Sequence, residues 1–212
     1  MGLFVLGLLG VFSTPLPAGP RTGLVPKSWE LHFEFDDPQR ITVKLPGSDQ
    51  PQTYWYVIYR VVNRTGQDVN FMPSFRLVTN TLQVREGGDQ VNPLVYDRIA
   101  ARHRGQFPFF APPYKITGKL LQGEENARSS AAVFQPFDPD ASSFRIYVSG
   151  LSGEIERVPN RVFDPGKPES EDENPRFFLM RRTLEISYDL PGDPETRVSA
   201  TPIRRSRLWV LR

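Results

Sequence analysis

Cysteine is absent from this chain. Its absence excludes disulfide bridges, thiolate metal sites, a cysteine nucleophile and a lipid-modified cysteine, although a core of this size needs no disulfide to be stable outside the cell. Histidine is nearly absent, with only His32 and His103, and metal centres and catalytic triads need imidazoles with partners close by. No apolar run reaches the roughly 20 residues of a membrane-spanning helix. A charge excess is missing too: 26 basic against 24 acidic residues leave a net +2, too little for a global field that steers nucleic acid.

What is present points to strands. The chain has 212 residues, with 21 prolines and 16 glycines that punctuate short apolar runs at intervals typical of all-β domains. Leu3–Phe12 is apolar and is followed by Ser13, Thr14, Pro15 and a small-residue site near Ala18. Its length and flanks match the apolar region of a secretory signal over residues 1–20 and predict export, although no lysine or arginine precedes Arg21. Residues 21–212 then read as one domain, with no membrane span in the mature chain.

The centre of the pattern is Thr53–Thr79. Its first half is dense in aromatic and β-branched residues, which fit a pleated surface, and the polar run Asn63–Asp68 reads as the turn of a hairpin. Trp55, Val57, Tyr59 and Val61 fall on one face; Tyr54, Tyr56, Ile58, Arg60 and Val62 fall on the other. Both faces are largely apolar, so the strand is either covered on both sides or presents an aromatic platform.

Before it, Trp29–Phe35 and Ile41–Leu45 alternate with period two and read as an edge hairpin turned at Asp36-Asp37-Pro38. After it, Asn92-Pro93 suits a helix start, and Pro93–Arg104 is the one expected helix, with Leu94, Val95, Ile99 and Ala100 inward and Gly105 ending it. Phe107–Pro113 is too rich in proline for a strand and is the expected cover, with the helix, for the Tyr54/Tyr56 face. Further strands are expected at Tyr114–Leu121, Ala131–Phe137, Phe144–Ser149, Phe177–Leu190 and Arg204–Leu211. Asp164–Pro175, acidic and proline-rich with no apolar residue, reads as a mobile surface loop.

The run Tyr54-Trp-Tyr-Val-Ile-Tyr-Arg-Val-Val-Asn-Arg-Thr-Gly66 resembles strand-and-turn segments of bacterial immunoglobulin-like domains outside the cytoplasm. Ile146–Glu154 and Tyr188–Asp193 are similar to parts of uncharacterised exported bacterial proteins of that layout. The resemblance implies an antiparallel immunoglobulin-like β-sandwich and carries no catalytic residues.

Motifs that could carry chemistry fall away one by one. Gly150-Leu-Ser-Gly-Glu154 has glutamate where a nucleophile elbow needs glycine, which leaves Ser152 a turn residue. Gly118–Gly123 is followed by Glu124 where a phosphate loop needs lysine. Asp138, Asp140 and the acids Glu169, Glu171, Asp172 and Glu173 match no ordered calcium loop. Asn63-Arg-Thr65 has the form of a glycosylation sequon, but its place in a tight turn assigns both side chains to local backbone bonds.

The sequence therefore predicts no catalytic, cofactor-binding or metal-ligating residue. It predicts a non-enzymatic exported module of the bacterial envelope, structural or protein-binding. One alternative is a carbohydrate-binding module using an aromatic face of Tyr54, Tyr56, Phe109 and Phe110; the other is a hydrolase using carboxylates. A protein or glycan partner is expected and nucleic acid is not.

Overall fold

The computed structural model describes residues 28–168, 174–197 and 199–212. The signal segment read over residues 1–20 and the acids Glu169, Glu171, Asp172 and Glu173 lie outside the described residues. In chain order, the two alternating segments form β1 (His32–Phe35) and β2 (Gln39–Val43), and the aromatic stretch forms the twelve-residue β3 (Gln52–Asn63). Then come β4 (Val69–Phe71), β5 (Ser74–Thr79), β6 (Val84–Glu86), α1 (Pro93–Arg102), a helical turn α2 (Pro113–Ile116) and β7 (Gly118–Leu120). The remaining elements are β8 (Gly123–Phe134), β9 (Ser143–Ser149), β10 (Ile155–Pro159), β11 (Phe177–Asp189), a second helical turn α3 (Pro194–Arg197) and β12 (Ile203–Leu211).

The chain is all-β, as its sequence predicts, and every pairing between these strands is antiparallel. In the first sheet β8 pairs one edge of β3, and β1 and β2 share the other. These two strands are not a hairpin. They are successive halves of one edge strand, because His32–Phe35 faces Val62–Tyr59 and Gln39–Val43 continues in the same direction against Tyr56–Gln52. Asp36, Asp37 and Pro38 stand against only Val57 and Ile58, so the supposed turn is a one-residue β-bulge. Proline fits there because a bulge leaves a residue outside the ladder.

In the second sheet β11 is central to the same plan. β12 lines one edge, and β9 followed by β10 lines the other. Residues 149–154 bulge out between β9 and β10 against only Arg182 and Thr183. β5 and β6 extend the sheet beyond β9.

The Asn63–Asp68 turn is also corrected. It does not close a hairpin, since β4 pairs β7 and β5 pairs β6 and β9. It carries the chain out of the first sheet, with Gly66 at φ 89°. Asn63 is fully buried; its Oδ1 accepts from the Thr65 N–H at 3.0 Å and its Nδ2 donates to Gln67 O at 2.8 Å and Leu120 O at 2.9 Å. The residues expected to do turn chemistry do it. Tyr114–Leu121 opens with α2 rather than a strand, because Pro112 and Pro113 preset a helical first turn.

Two cores meet at β3. On one face Trp55, Val57 and Tyr59 pack against Phe144, Ile146, Leu184 and Ile186 of the second sheet. On the other, Tyr54, Tyr56 and Ile58 pack under Val95, Tyr96 and Ile99 of α1, with Phe107 and Phe110 beside them. The expected cover is therefore in place. Its inward residues differ in one respect: Tyr96 is buried and Leu94 is exposed, because Leu94 is the first-turn residue whose N–H Asn92 caps. The helix ends at a His103 cap, two residues before Gly105.

One buried pair is left unsatisfied. Tyr59 and Ser130 face each other across β3 and β8, both fully buried, and among the described residues neither hydroxyl meets hydrogen-bond geometry with a partner. Burial pushes the Tyr59 phenol well above its ordinary range, with the nearby Ser130 hydroxyl opposing the shift and Tyr96 adding to it. Tyr59→Phe should therefore leave stability unchanged or raise it by up to about 1 kcal/mol, since it removes a buried group that gains nothing. A loss above about 1 kcal/mol in urea unfolding would show that this hydroxyl is bonded after all.

Candidate functional site

The aromatic residues expected to form a sugar-binding face do not come together at the surface. Tyr54 and Tyr56 are 1% and 0% exposed, Phe110 is half-buried beside them, and Phe109 stands alone at 87%. The tyrosine rings are core, and only their hydroxyls reach polar partners. Tyr54 donates to Gln52 Oε1 at 2.9 Å and Tyr56 to Gln39 Oε1 at 2.9 Å.

Tyr56 also ties the helix to the sheet. Its oxygen accepts from Arg102 Nη1 at 3.2 Å and lies 2.9 Å from His103 Nε2. With the phenol proton committed to Gln39, the imidazole is the donor. Burial lowers the proton affinity of His103, partly offset by the Asp36 charge, and raises that of Tyr56.

The other candidate groups are occupied in local structure. His32 pairs with Glu34 at 2.9 Å on the wet edge, opposite Val62, six residues along β3 from the Tyr56–His103 contact. That contact, followed by the Arg60 charge, holds the Glu34 carboxyl below its usual range. Ser152 Oγ accepts from the Glu154 N–H at 3.2 Å, as a turn residue does. Asp138 accepts from the Asp140 N–H at 2.9 Å in another turn. Among the described residues no group of three His, Cys, Asp or Glu side chains could hold a metal ion.

A hollow of about 270 Å³ opens at one end of the two layers, lined by Trp55, Phe137, Ala141, Leu190, Arg40 and Arg197. Its cations are engaged. Arg40 lies 4.6 Å over the Trp55 ring and donates to Arg197 O at 3.3 Å and Ala200 O at 2.7 Å. Arg197 in turn donates to Gly192 O and Asp140 O. These arginines clamp the segment after α3 rather than wait for a ligand.

The surface that stands out is a two-stranded ribbon. β11 overshoots the sheet, and among the described residues Phe177–Met180 pair only with β10, Pro159 facing Phe177 and Glu156 facing Met180. Alternation puts Ile155, Phe177 and Leu179 on one face and Val158, Phe178 and Met180 on the other. Apolar side chains therefore occupy both faces, and Phe177, Phe178, Leu179 and Ile155 are 42–56% exposed. Water is the wrong solvent for such a patch.

Its outer end is tied down by side-chain amides. Asn160 Nδ2 donates to Pro175 O at 2.8 Å, and Asn174 both accepts from the Asp164 N–H at 2.8 Å and donates to Asp164 O at 3.0 Å. The ribbon is not apparent in the sequence because Ile155-Glu-Arg-Val-Pro159 reads as loop. The available signal was Phe177-Phe-Leu-Met180, an apolar run with no second apolar segment nearby to cover it. No family model, no curated protein and no solved structure matches this chain, so the reading of its function rests on this geometry.

Proposed function

We propose that this chain is a non-enzymatic, exported protein-interaction module on an immunoglobulin-like β-sandwich, and that the β10–β11 ribbon docks its partner. The carrying observation is the exposed apolar surface on both faces of that ribbon. Burying one such side chain fully stabilises a complex by roughly 1.5–3 kcal/mol, so a few of them suffice for the core of an interface. The non-enzymatic part is supported by where the shifted carboxyls sit: Glu34 and Glu124 pair with Arg60, Asp138 holds a turn, and Asp193 caps α3 through Thr196. The exported part rests on the apolar segment Leu3–Phe12 and is tested by cell fractionation, where recovery only in the cytoplasm would remove it.

The docking reading is tested by a photo-crosslinking residue at Leu179, compared with one at Leu82, which is more exposed (84%) but lies outside the ribbon. Leu179 should trap a defined protein that Leu82 does not, and Phe177→Ser with Leu179→Ser should abolish the trap formed from Ile155 without changing the melting temperature. Equal trapping from both positions would refute the ribbon as a docking element.

A further inference from the structure

We propose that the groove between Arg181 and Arg212, on the outer face of the second sheet, binds a tetrahedral oxyanion, the phosphate or sulfate group of a larger ligand. The groove is about 200 Å³, and its lining includes Arg76, Arg181, Arg212, Ser74, Ser149 and Tyr147, with no Asp or Glu side chain among the described residues. It is too small for a whole organic ligand, which fills roughly 300–1,000 Å³, and suits one charged group.

Arg181 and Arg212 are direct neighbours on adjacent strands. The Arg181 N–H donates to Arg212 O at 2.7 Å and the Arg212 N–H donates back at 3.0 Å. Residues bonded in this way point to the same face, and like charges placed directly opposite destabilise a sheet. Among the described residues, acids on the same face do not relieve the repulsion, because they are taken. Glu86 pairs with Arg76 at 2.5 Å, Glu185 with Arg145 at 3.6 Å and Asp189 with Arg205 at 2.6 Å. Among the described residues neither Arg181 nor Arg212 has a carboxylate partner.

The donors are also aimed. The Arg212 guanidinium lies 3.8 Å over the Tyr147 ring, which sets its plane. Ser74 and Ser149 are register partners on β5 and β9, so both residues line the groove side by side. Arg76 adds its remaining guanidinium N–H groups from the same strand as Ser74. Guanidinium forks and hydroxyls converging from four strands offer more donors than a planar carboxylate can accept, and they match an anion with three or four oxygens.

The test is titration of the full chain with sodium sulfate, inorganic phosphate and sodium acetate, with ionic strength held constant by chloride. Arginine Nε–H and Tyr147 ring resonances are followed by NMR. Sulfate and phosphate should give saturable shifts at Arg181, Arg212 and Tyr147, and acetate should bind about tenfold more weakly or worse. Arg181→Gln should weaken sulfate by about tenfold or more, whereas Arg145→Gln, which removes a charge from the same face outside the groove, should not. Non-saturating shifts, equal response to acetate, or equal loss in both variants would overturn the site and leave only general charge screening. Phe177→Ser with Leu179→Ser should keep sulfate binding intact, so this site and the docking ribbon stand or fall separately.

Discussion

Trp55→Ala is expected to lower the stability of the chain by about 3–5 kcal/mol, the largest effect of any single substitution named here. Trp55 is 7% exposed, and its ring is stacked 5.4 Å from Phe137 and tilted 6.0 Å from Phe144, with the Arg40 guanidinium 4.6 Å from its centroid. Truncation removes the transfer free energy of the indole and leaves a hollow that a β-sheet backbone cannot close. It also takes away the platform that orients Arg40, whose bonds to Arg197 O and Ala200 O hold the segment after α3. Hydrogen exchange should therefore quicken around residues 192–200 as well as at the site of mutation. Urea unfolding that shows a loss below about 1 kcal/mol would place the indole outside the core.

Asn63→Ala should cost about 2–3 kcal/mol, because it strips partners from one buried and two part-buried backbone groups rather than removing apolar volume. Leu120 O and Gln67 O lose the Asn63 Nδ2 donor, and the Thr65 N–H loses its acceptor. The amide also ties the exit of β3 to the β4–β7 pair, which contributes Val69, Phe71 and Leu120 to the main core. Asn63→Asp separates the two halves of the role: the acceptor for Thr65 survives, but a carboxylate then faces two carbonyl oxygens. Asn63→Asp should be at least as damaging as alanine at neutral pH, and a melting temperature equal to wild type would mean that the amide does not donate to Leu120.

Where neighbours along the chain decide the outcome, the sequence was informative. The double-sided β3 and the Asn92-Pro93 helix start follow from period and capping within a dozen residues, and the helix lies where that period required cover. What did not follow was pairing between distant segments. Trp29–Phe35 and Ile41–Leu45 read as a hairpin because Asp-Asp-Pro is turn chemistry. A bulge uses the same residues, and only β3, twenty residues later, distinguishes the two. β4 is three residues long and has meaning only beside β7. Tyr54 and Tyr56 as a binding face failed for the opposite reason: aromatic rings look alike in sequence whether a helix lies over them or not. The partners of the late arginines depend on distant pairing too: Arg204 pairs with Asp37 at 2.9 Å and, with Arg207, covers Phe35.

β11 is one unbroken strand from ribbon to core, and this has a mechanical consequence. Its inner half is bonded along both edges, to β9 from Leu184 to Asp189 and to β12 from Arg182 to Asp189. A pull on the ribbon along its own axis therefore loads those cross-strand bonds together, in shear, and not one after another as in peeling. A pull across the ribbon instead meets only the β10 pairing and opens it like a zipper. A partner held by the ribbon would be gripped strongly in one direction and released easily in the other, so the fold gives this attachment a preferred axis of tension.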